Sequence, residues 1–352
     1  MFHRINKAQP AIWRDPNTIQ IGLGQKSVAI TNLTLAQQQI VEALYSGLVD
    51  GQQEVIDETF NTSTGTTSSL IEKLSPVMEA EGSISNSYGA WQELAFAELA
   101  RAALDYEVNP EMVMAERWQR VVHIDQLDKA GALLTKALLA SGVGKVVTHD
   151  DSRVIKTDLG ELGFSQDELG QSRFESLSQD LLKHSLSKSV SSRIIDLNYK
   201  PSKELVVSFA ITVGHLATRP STYLRWLNRD VPHLNINFDM YEAQISPIVF
   251  PGITPCLNCF AEHKVDEDPA WPAIASQLIE LPRTRDDSSS LLAATGLALR
   301  TILRQLDHAA GFTISTETDF ADGYTLEYST GDVKRTKYSF HKLCNCRSLD
   351  EV

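Results

Sequence analysis

Cysteine is scarce in this chain, with four in 352 residues, and basic side chains are outnumbered, with 32 Lys and Arg against 45 Asp and Glu. The first shortage excludes the small secreted scaffolds that replace a core with many disulfides. The second leaves a formal charge of -13. That argues against a nucleic-acid partner, because neutralising phosphates draws on clustered Lys and Arg; a neutral or basic partner is compatible. No segment reaches the about 18 apolar residues that a membrane span requires. The opening MFHRINKAQPAIWRD lacks the apolar core of an export signal. The expected location is therefore the cytoplasm, where the Asn-x-Ser/Thr matches at Asn32 and Asn61 have no glycosylation meaning. Also missing are a Gly-x-Ser-x-Gly elbow, a Walker-type loop and a His-Glu-x-x-His helix, so no common hydrolase, nucleotidase or metalloprotease motif is present.

What is present begins with a chain 42% hydrophobic and 22% charged, long enough for two or three compact units with real cores. Its cysteines fall into two short clusters. Cys256-Leu257-Asn258-Cys259 forms a knuckle introduced by Pro251-Gly252 and Pro255, and Cys344-Asn345-Cys346 lies near the C-terminus. Two thiolates at a turn can face one ion, and Zn²⁺ takes four sulfur ligands tetrahedrally, so the arithmetic suggests one Cys₄ site made of Cys256, Cys259, Cys344 and Cys346. Redox dithiols and ordinary buried thiols are the competing readings; the surroundings of the CxxC have no thioredoxin-like pattern. His263 and His341 lie close enough in sequence for either to replace a thiolate.

In chain order, residues 11–30 alternate β-prone runs with turn signals and read as a small antiparallel ribbon. Asn32 or Thr34 then caps a helix through Leu35, Ile40, Val41 and Leu44 that stops near Gly47. Two further helical patterns cover 70–81 and 88–104. Residues 1–110 thus suit a winged-helix-like α+β module, a pattern shared by peptide-binding modules and by purely structural dimerisation or packing domains. From Arg117 the texture changes to alternating strands and helices: strands at 119–124, 145–151, 192–197, 205–211 and 233–238, with helices at 128–141, 174–186 and 221–228. Such alternation predicts a mostly parallel sheet in a Rossmann-type α/β domain over 111–352. Residues 270–281 read as a helix, and 288–308 as a long apolar helix whose stripe is core or dimer interface. Segments 324–329 and 334–340 flank Thr330-Gly331-Asp332 as a hairpin that returns the last two cysteines to the first pair. Trp271 is either packing beside the knuckle or an exposed recognition aromatic.

The run SPIVFPGITPCLNC, the following DEDPAWP and the terminal HKLCNC after DGYTLEYSTGDVKRTKYSF resemble the ThiF-type, ubiquitin-activating-enzyme-like proteins. Within them the chain is most similar to an actinobacterial branch of cyclodehydratase or leader-peptide-binding components in the biosynthesis of azoline-containing peptides. The resemblance implies structural zinc on the four cysteines. It implies a module in residues 1–110 where a leader peptide adds as a strand to a sheet edge near 18–30. A homodimer and a YcaO-type partner enzyme are also expected. Asp151, at the end of the second strand, matches the acidic position that would meet a nucleotide's ribose; the competing reading of Asp150 and Asp151 is a pair of solvated carboxylates capping a strand.

The chain departs from the family's enzymes at the nucleotide site. Where a Gly-rich turn lets backbone N–H groups approach phosphates, it has Asp125-Gln126-Leu127-Asp128, with only Gly131 nearby. Asp128 can cap the helix that follows, and the carboxylates meet a phosphate with like charge. After the strand LVVSFAI, where adenylating relatives carry a Mg²⁺-binding aspartate, it reads Thr212-Val213-Gly214-His215. The expected function is therefore a non-catalytic scaffold that presents a peptide to a partner enzyme, with ATP not expected as a cofactor. An active adenylyltransferase or cyclodehydratase is the alternative, and a stand-alone structural or regulatory dimer a further one.

Overall fold

A computed structural model describes residues 2–24, 27–79, 96–106, 108–184, 193–198, 205–281, 287–313 and 322–347. The chain divides into two compact units, Met1–Glu116 joined by the segment at Phe312, and Arg117–Gly311 with the remaining C-terminal residues.

In the first unit, β1 (Phe2–His3) pairs with β5 (Leu48–Val49), and β2 (Ala11–Asp15), β3 (Thr18–Ile21) and β4 (Val28–Ile30) form a three-stranded antiparallel sheet in that order. The turn between β2 and β3 is closed locally, Asp15 accepting from the Asn17 N–H, as short acidic side chains do in turns. Helix α1 (Leu35–Ser46) is capped by Thr34 rather than Asn32: the Thr34 hydroxyl accepts from the Gln37 N–H while the Gln37 side chain accepts from Thr34 N–H. That reciprocal box satisfies two donors that a helix start otherwise leaves open. Helices α2 (Gln53–Thr59), α3 (Thr66–Leu74), α4 (Phe96–Asp105) and α5 (Pro110–Gln119) follow. The start of the helix expected over 88–104 lies outside the described residues. Ile5, Ile19, Ile21, Ile40, Leu44 and Leu74 form this unit's core. Its sheet and helices are an α+β arrangement; the winged-helix-like description goes beyond this order of elements.

The second unit is mixed α/β. Its strands are β6 (Val121–Ile124), β7 (Lys145–Thr148), β8 (Ile194–Asp196), β9 (Phe209–His215), β10 (His233–Phe238), β11 (Glu242–Ile245), β12 (Asp322–Glu327) and β13 (Val333–Lys337). They form one sheet in the order β13-β12-β11-β10-β9-β6-β7-β8. The pairings from β10 to β8 are parallel and those from β10 to β13 antiparallel. The helices are α6 (Lys129–Ala140), α7 (Arg173–His184), α8 (Pro220–Leu227), α9 (Leu257–Glu267), α10 (Trp271–Glu280) and α11 (Ser288–Ala309). Strand alternation divides the sheet into unlike faces. Val122, Ile124, Leu234, Ile236, Phe238, Ala243 and Ile245 join Leu134, Ala298 and Ile302 of α6 and α11 in the main core. Thus the apolar stripe of α11 is core. The opposite face carries His123, whose ring lies 4.5 Å from Trp226 of α8.

One strand lies four residues later than its apolar run indicates. β9 is Phe209–His215, not 205–211. Pairing sets the register: β6 pairs along Phe209–Ile211 and β10 along Ala210–His215. Val206, apolar but outside both ladders, is 78% exposed.

Candidate metal centre and the sheet's switch point

The four cysteines converge. Cys256 is the N-cap of α9 and Cys259 lies in that helix's first turn, while the β12–β13 hairpin returns the chain so that Cys344 and Cys346 meet them. Sulfur separations are 4.0 Å for Cys256–Cys259, 3.6 Å for Cys256–Cys344 and 3.4 Å for Cys259–Cys346. All four are free thiols, too far apart for a bond of about 2.05 Å. A tetrahedral centre with metal–sulfur bonds of about 2.3 Å places its ligands about 3.8 Å apart, and the observed separations bracket that value. The donor set therefore fits a metal ion with no open coordination position. Hydrogen bonding from the Cys256 thiol pulls Cys259 down to about 4; that bond and burial push Cys256 far up, and burial raises Cys346 to about 11. One thiolate already stabilised by its neighbours is the state a cation would complete. The tail is tied in by a bridge between Gly252 and Arg347, and Asn258 Nδ2 donates to Cys344 Sγ at 3.6 Å.

His263 and His341 stand outside this cluster. His341 Nδ1 accepts from the Leu343 N–H and its Nε2 lies 3.0 Å from Asp266 Oδ2, which makes Nε2 the protonated nitrogen. His263 Nε2 lies 3.2 Å from the Ser339 carbonyl. Both rings thus hold the tail to α9. Together with Asp266 they form a second group with metal-like spacing, but a nitrogen that donates its proton has no lone pair for an ion.

The parallel strands change direction of winding between β6 and β9, the point where such folds bind nucleotides. In the dinucleotide pattern the first glycine permits a tight turn, the second admits a phosphate and the third allows helix and strand to close. With Gly131 as the third, the first two positions fall on Gln126 and Asp128. Gly131 keeps its role, since a Cβ there would stand 1.9 Å from the Gln126 carbonyl oxygen. Asp128 caps α6, accepting from the Gly131 N–H at 3.0 Å, and its other oxygen is 2.8 Å from His215 Nε2. The Leu127 N–H donates to Asp150 at 2.6 Å. Two donors that a phosphate would use, the Leu127 and Gly131 N–H groups, are thus engaged by the chain's own carboxylates.

Two expectations change here. Asp125 is buried, and burial, with Asp128 and Asp150 nearby, raises its pKa to about 8. At neutral pH it holds its proton, so it contributes bulk rather than negative charge. Thr212 is not at a strand end: it is buried inside β9 and donates to Asn235 at 2.8 Å. His215, paired with Asp128, occupies the end of that strand, and Leu216 beyond it has a φ of 65°.

Asp151 is exposed. Its neighbour Asp150 is the buried carboxylate, held by Leu127 and Ser152 N–H groups and 3.5 Å from Arg173, which also makes a two-pronged contact with Asp158. Trp271 begins α10, with the Lys264 ammonium 4.3 Å from its ring centroid. Sequence reasoning missed a cavity beside it, although the alternation of Asn235, Asn237 and Gln244 in adjacent strands was a legible sign of a polar face.

No protein-family model matches the chain, and no curated protein sequence does. Solved structures match over nearly its full length. The Escherichia coli protein MccB with ATP is 15% identical, covering 99% of this chain and 100% of that chain at a TM-score of 0.64. MccB with SeMet MccA is 16% identical, with coverages of 99% and 100% and a TM-score of 0.66. PaaA is 13% identical, with coverages of 94% and 98% and a TM-score of 0.66. At such identities the likeness is one of architecture, and the chain carries the ThiF-type, ubiquitin-activating-enzyme-like fold that its sequence resemblance implied.

Proposed function

We propose that this chain is a ThiF-type scaffold that binds a peptide and presents it to a partner enzyme, a YcaO-type cyclodehydratase in azoline-peptide biosynthesis, without adenylating the peptide itself. The observation that carries the reading is the start of α6, where Asp128 and Asp150 consume the Gly131 and Leu127 N–H groups. An incoming phosphate would have to displace both carboxylates and meet their charge; like charges about 4 Å apart cost on the order of 4 kcal/mol at a partly buried surface. Isothermal titration with MgATP should register no millimolar-or-better site, and pyrophosphate exchange should stay at background with or without peptide.

The peptide half of the proposal is supported by the MccB structures that hold MccA, and by the first unit's sheet. Within 18–30, β3 is paired on both sides, while β4 has a free outer edge among the described residues. A peptide would add there by main-chain pairing, which needs an open edge and little side-chain specificity. A leader peptide from a neighbouring precursor gene should bind the full chain in fluorescence anisotropy, and a proline replacing Ala29 should weaken it at least tenfold. A YcaO-type gene beside this one would favour the presentation role, and its absence a stand-alone homodimer, to be checked by light scattering.

Zinc is the ion we assign to the four cysteines, because a closed set of thiolates at these spacings suits its tetrahedral preference. Elemental analysis of protein prepared without chelator should find about one zinc per chain.

Adenylation remains the second reading, favoured by the MccB–ATP structure and by the neutral state of Asp125. Micromolar ATP affinity lost on changing Asp151 to Ala would put it first.

A further inference from the structure

Between the polar face of β10–β11 and helices α8, α9 and α10 lies a cavity of about 350 Å³. Its volume is at the lower end of the range for small-molecule sites, which are mostly apolar with a few placed polar groups. Asn235, Asn237 and Gln244 contribute to its lining from the sheet, and Phe260, Trp271 and Tyr338 supply aromatic surface. A face covered by helices is ordinarily apolar, so amides there call for a partner.

The hydrogen bonds identify which groups still lack one. Asn235 Oδ1 accepts from the hydroxyls of Thr212 and Thr218 at 2.8 and 3.1 Å, which fixes the amide with its NH₂ end unspent. Lys264, also lining the cavity, places its ammonium 4.7 Å from the Phe260 ring centroid and 4.3 Å from that of Trp271. Among the described residues that ammonium has no ion pair or hydrogen bond. Burial lowers its pKa, opposed by the charges of Asp239, Glu242 and Glu267. Two kinds of donor, a cation and a neutral amide, therefore border one aromatic-walled space, whose lining also includes the acidic Glu262.

We propose that this cavity binds a small carboxylate with a flat or apolar body, the carboxylate taken by Lys264 and the Asn235 NH₂ and the body lying against Trp271 and Phe260. A charge-assisted bond to the carboxylate would satisfy the ammonium more strongly than ring faces alone. The carboxylate belongs either to a free organic acid or to a peptide's C-terminal residue. The site is built from the second unit alone and the β4 edge from the first, and the inference does not rest on the scaffold reading; a chain that binds no leader peptide would still possess it.

The test is isothermal titration of the full chain with N-acetyl-phenylalanine and with its uncharged amide, followed by a short peptide ending in Phe as free acid and as amide. At least one acid should bind, with its amide at least tenfold weaker. Lys264→Met, which keeps the length of the side chain, should weaken the acid at least tenfold with an unchanged thermal midpoint. Binding of the free acid alone assigns the site to a metabolite; binding of the peptide acid alone assigns it to a chain end. No acid binding at millimolar concentration, equal binding of acid and amide, or full affinity in Lys264→Met overturns the proposal. The acid-to-amide comparison uses the unaltered protein, so it decides even if the variant misfolds.

Discussion

Asp125 holds its proton because ionising it would place a charge in a buried site beside two other carboxylates. Its folded pKa, about 8, lies above the unfolded value of about 3.9, so stability is greatest below the unfolded value and is lost as pH rises toward 8. Asp125→Asn keeps the acceptor for the Val213 N–H, now met by Asp125 Oδ1 at 2.9 Å, and removes the titration. The variant should melt higher than the parent at pH 9 and show a smaller difference at pH 5, which thermal scans at the two pH values will measure. Asp57 works the opposite way. It is buried and accepts from the N–H groups of Gly65 and Thr67 and from the hydroxyls of Thr62 and Thr67. Burial alone would raise its pKa, but those bonds together lower it, so its contribution is present above the unfolded value and fades as pH falls through the folded one. Asp57→Ala strands the donors and should cost about 1–3 kcal/mol by urea denaturation at pH 7.

At the scale of elements, the β12–β13 hairpin delivers two of the four cysteines, and Gly331 in its turn has a φ of 76°. A side chain there meets open space, so Gly331→Ala carries only the backbone cost, about 1–2 kcal/mol. The midpoint should drop while zinc content stays the same. Cys344→Ser should instead lower both zinc content and midpoint. Arg117 of α5 makes paired bonds to Asp307 of α11 at 2.7 and 2.6 Å, both side chains buried. Arg117→Ala would remove a paired cation from a buried carboxylate and cost about 3–5 kcal/mol in denaturant unfolding. Elements whose apolar period matches their burial were legible in sequence: α6, α11, β6 and the capped start of α1. The register of β9 was not, because it is fixed by neighbours distant in sequence. The cysteine clusters were legible from spacing alone. The state of Asp125 was not, since burial depends on the assembled sheet.

Across the whole molecule, the acidic balance of 45 Asp and Glu over 32 Lys and Arg makes partner charge a measurable variable. A basic peptide should lose affinity as salt is added, because screening shortens the reach of exposed charges, while a neutral peptide of the same length should be indifferent. No helix among the described residues is long and apolar enough to cross a membrane. Helix α9 joins two sites: Cys259 belongs to the thiolate cluster, whereas Phe260 and Lys264 line the cavity. If loading the metal stiffens that helix and tightens the cavity's grip by some factor, a bound carboxylate must tighten the grip on the metal by the same factor. Occupancy of the cavity would then be readable as slower loss of zinc to a chelator, making the ion a reporter of a ligand it never touches.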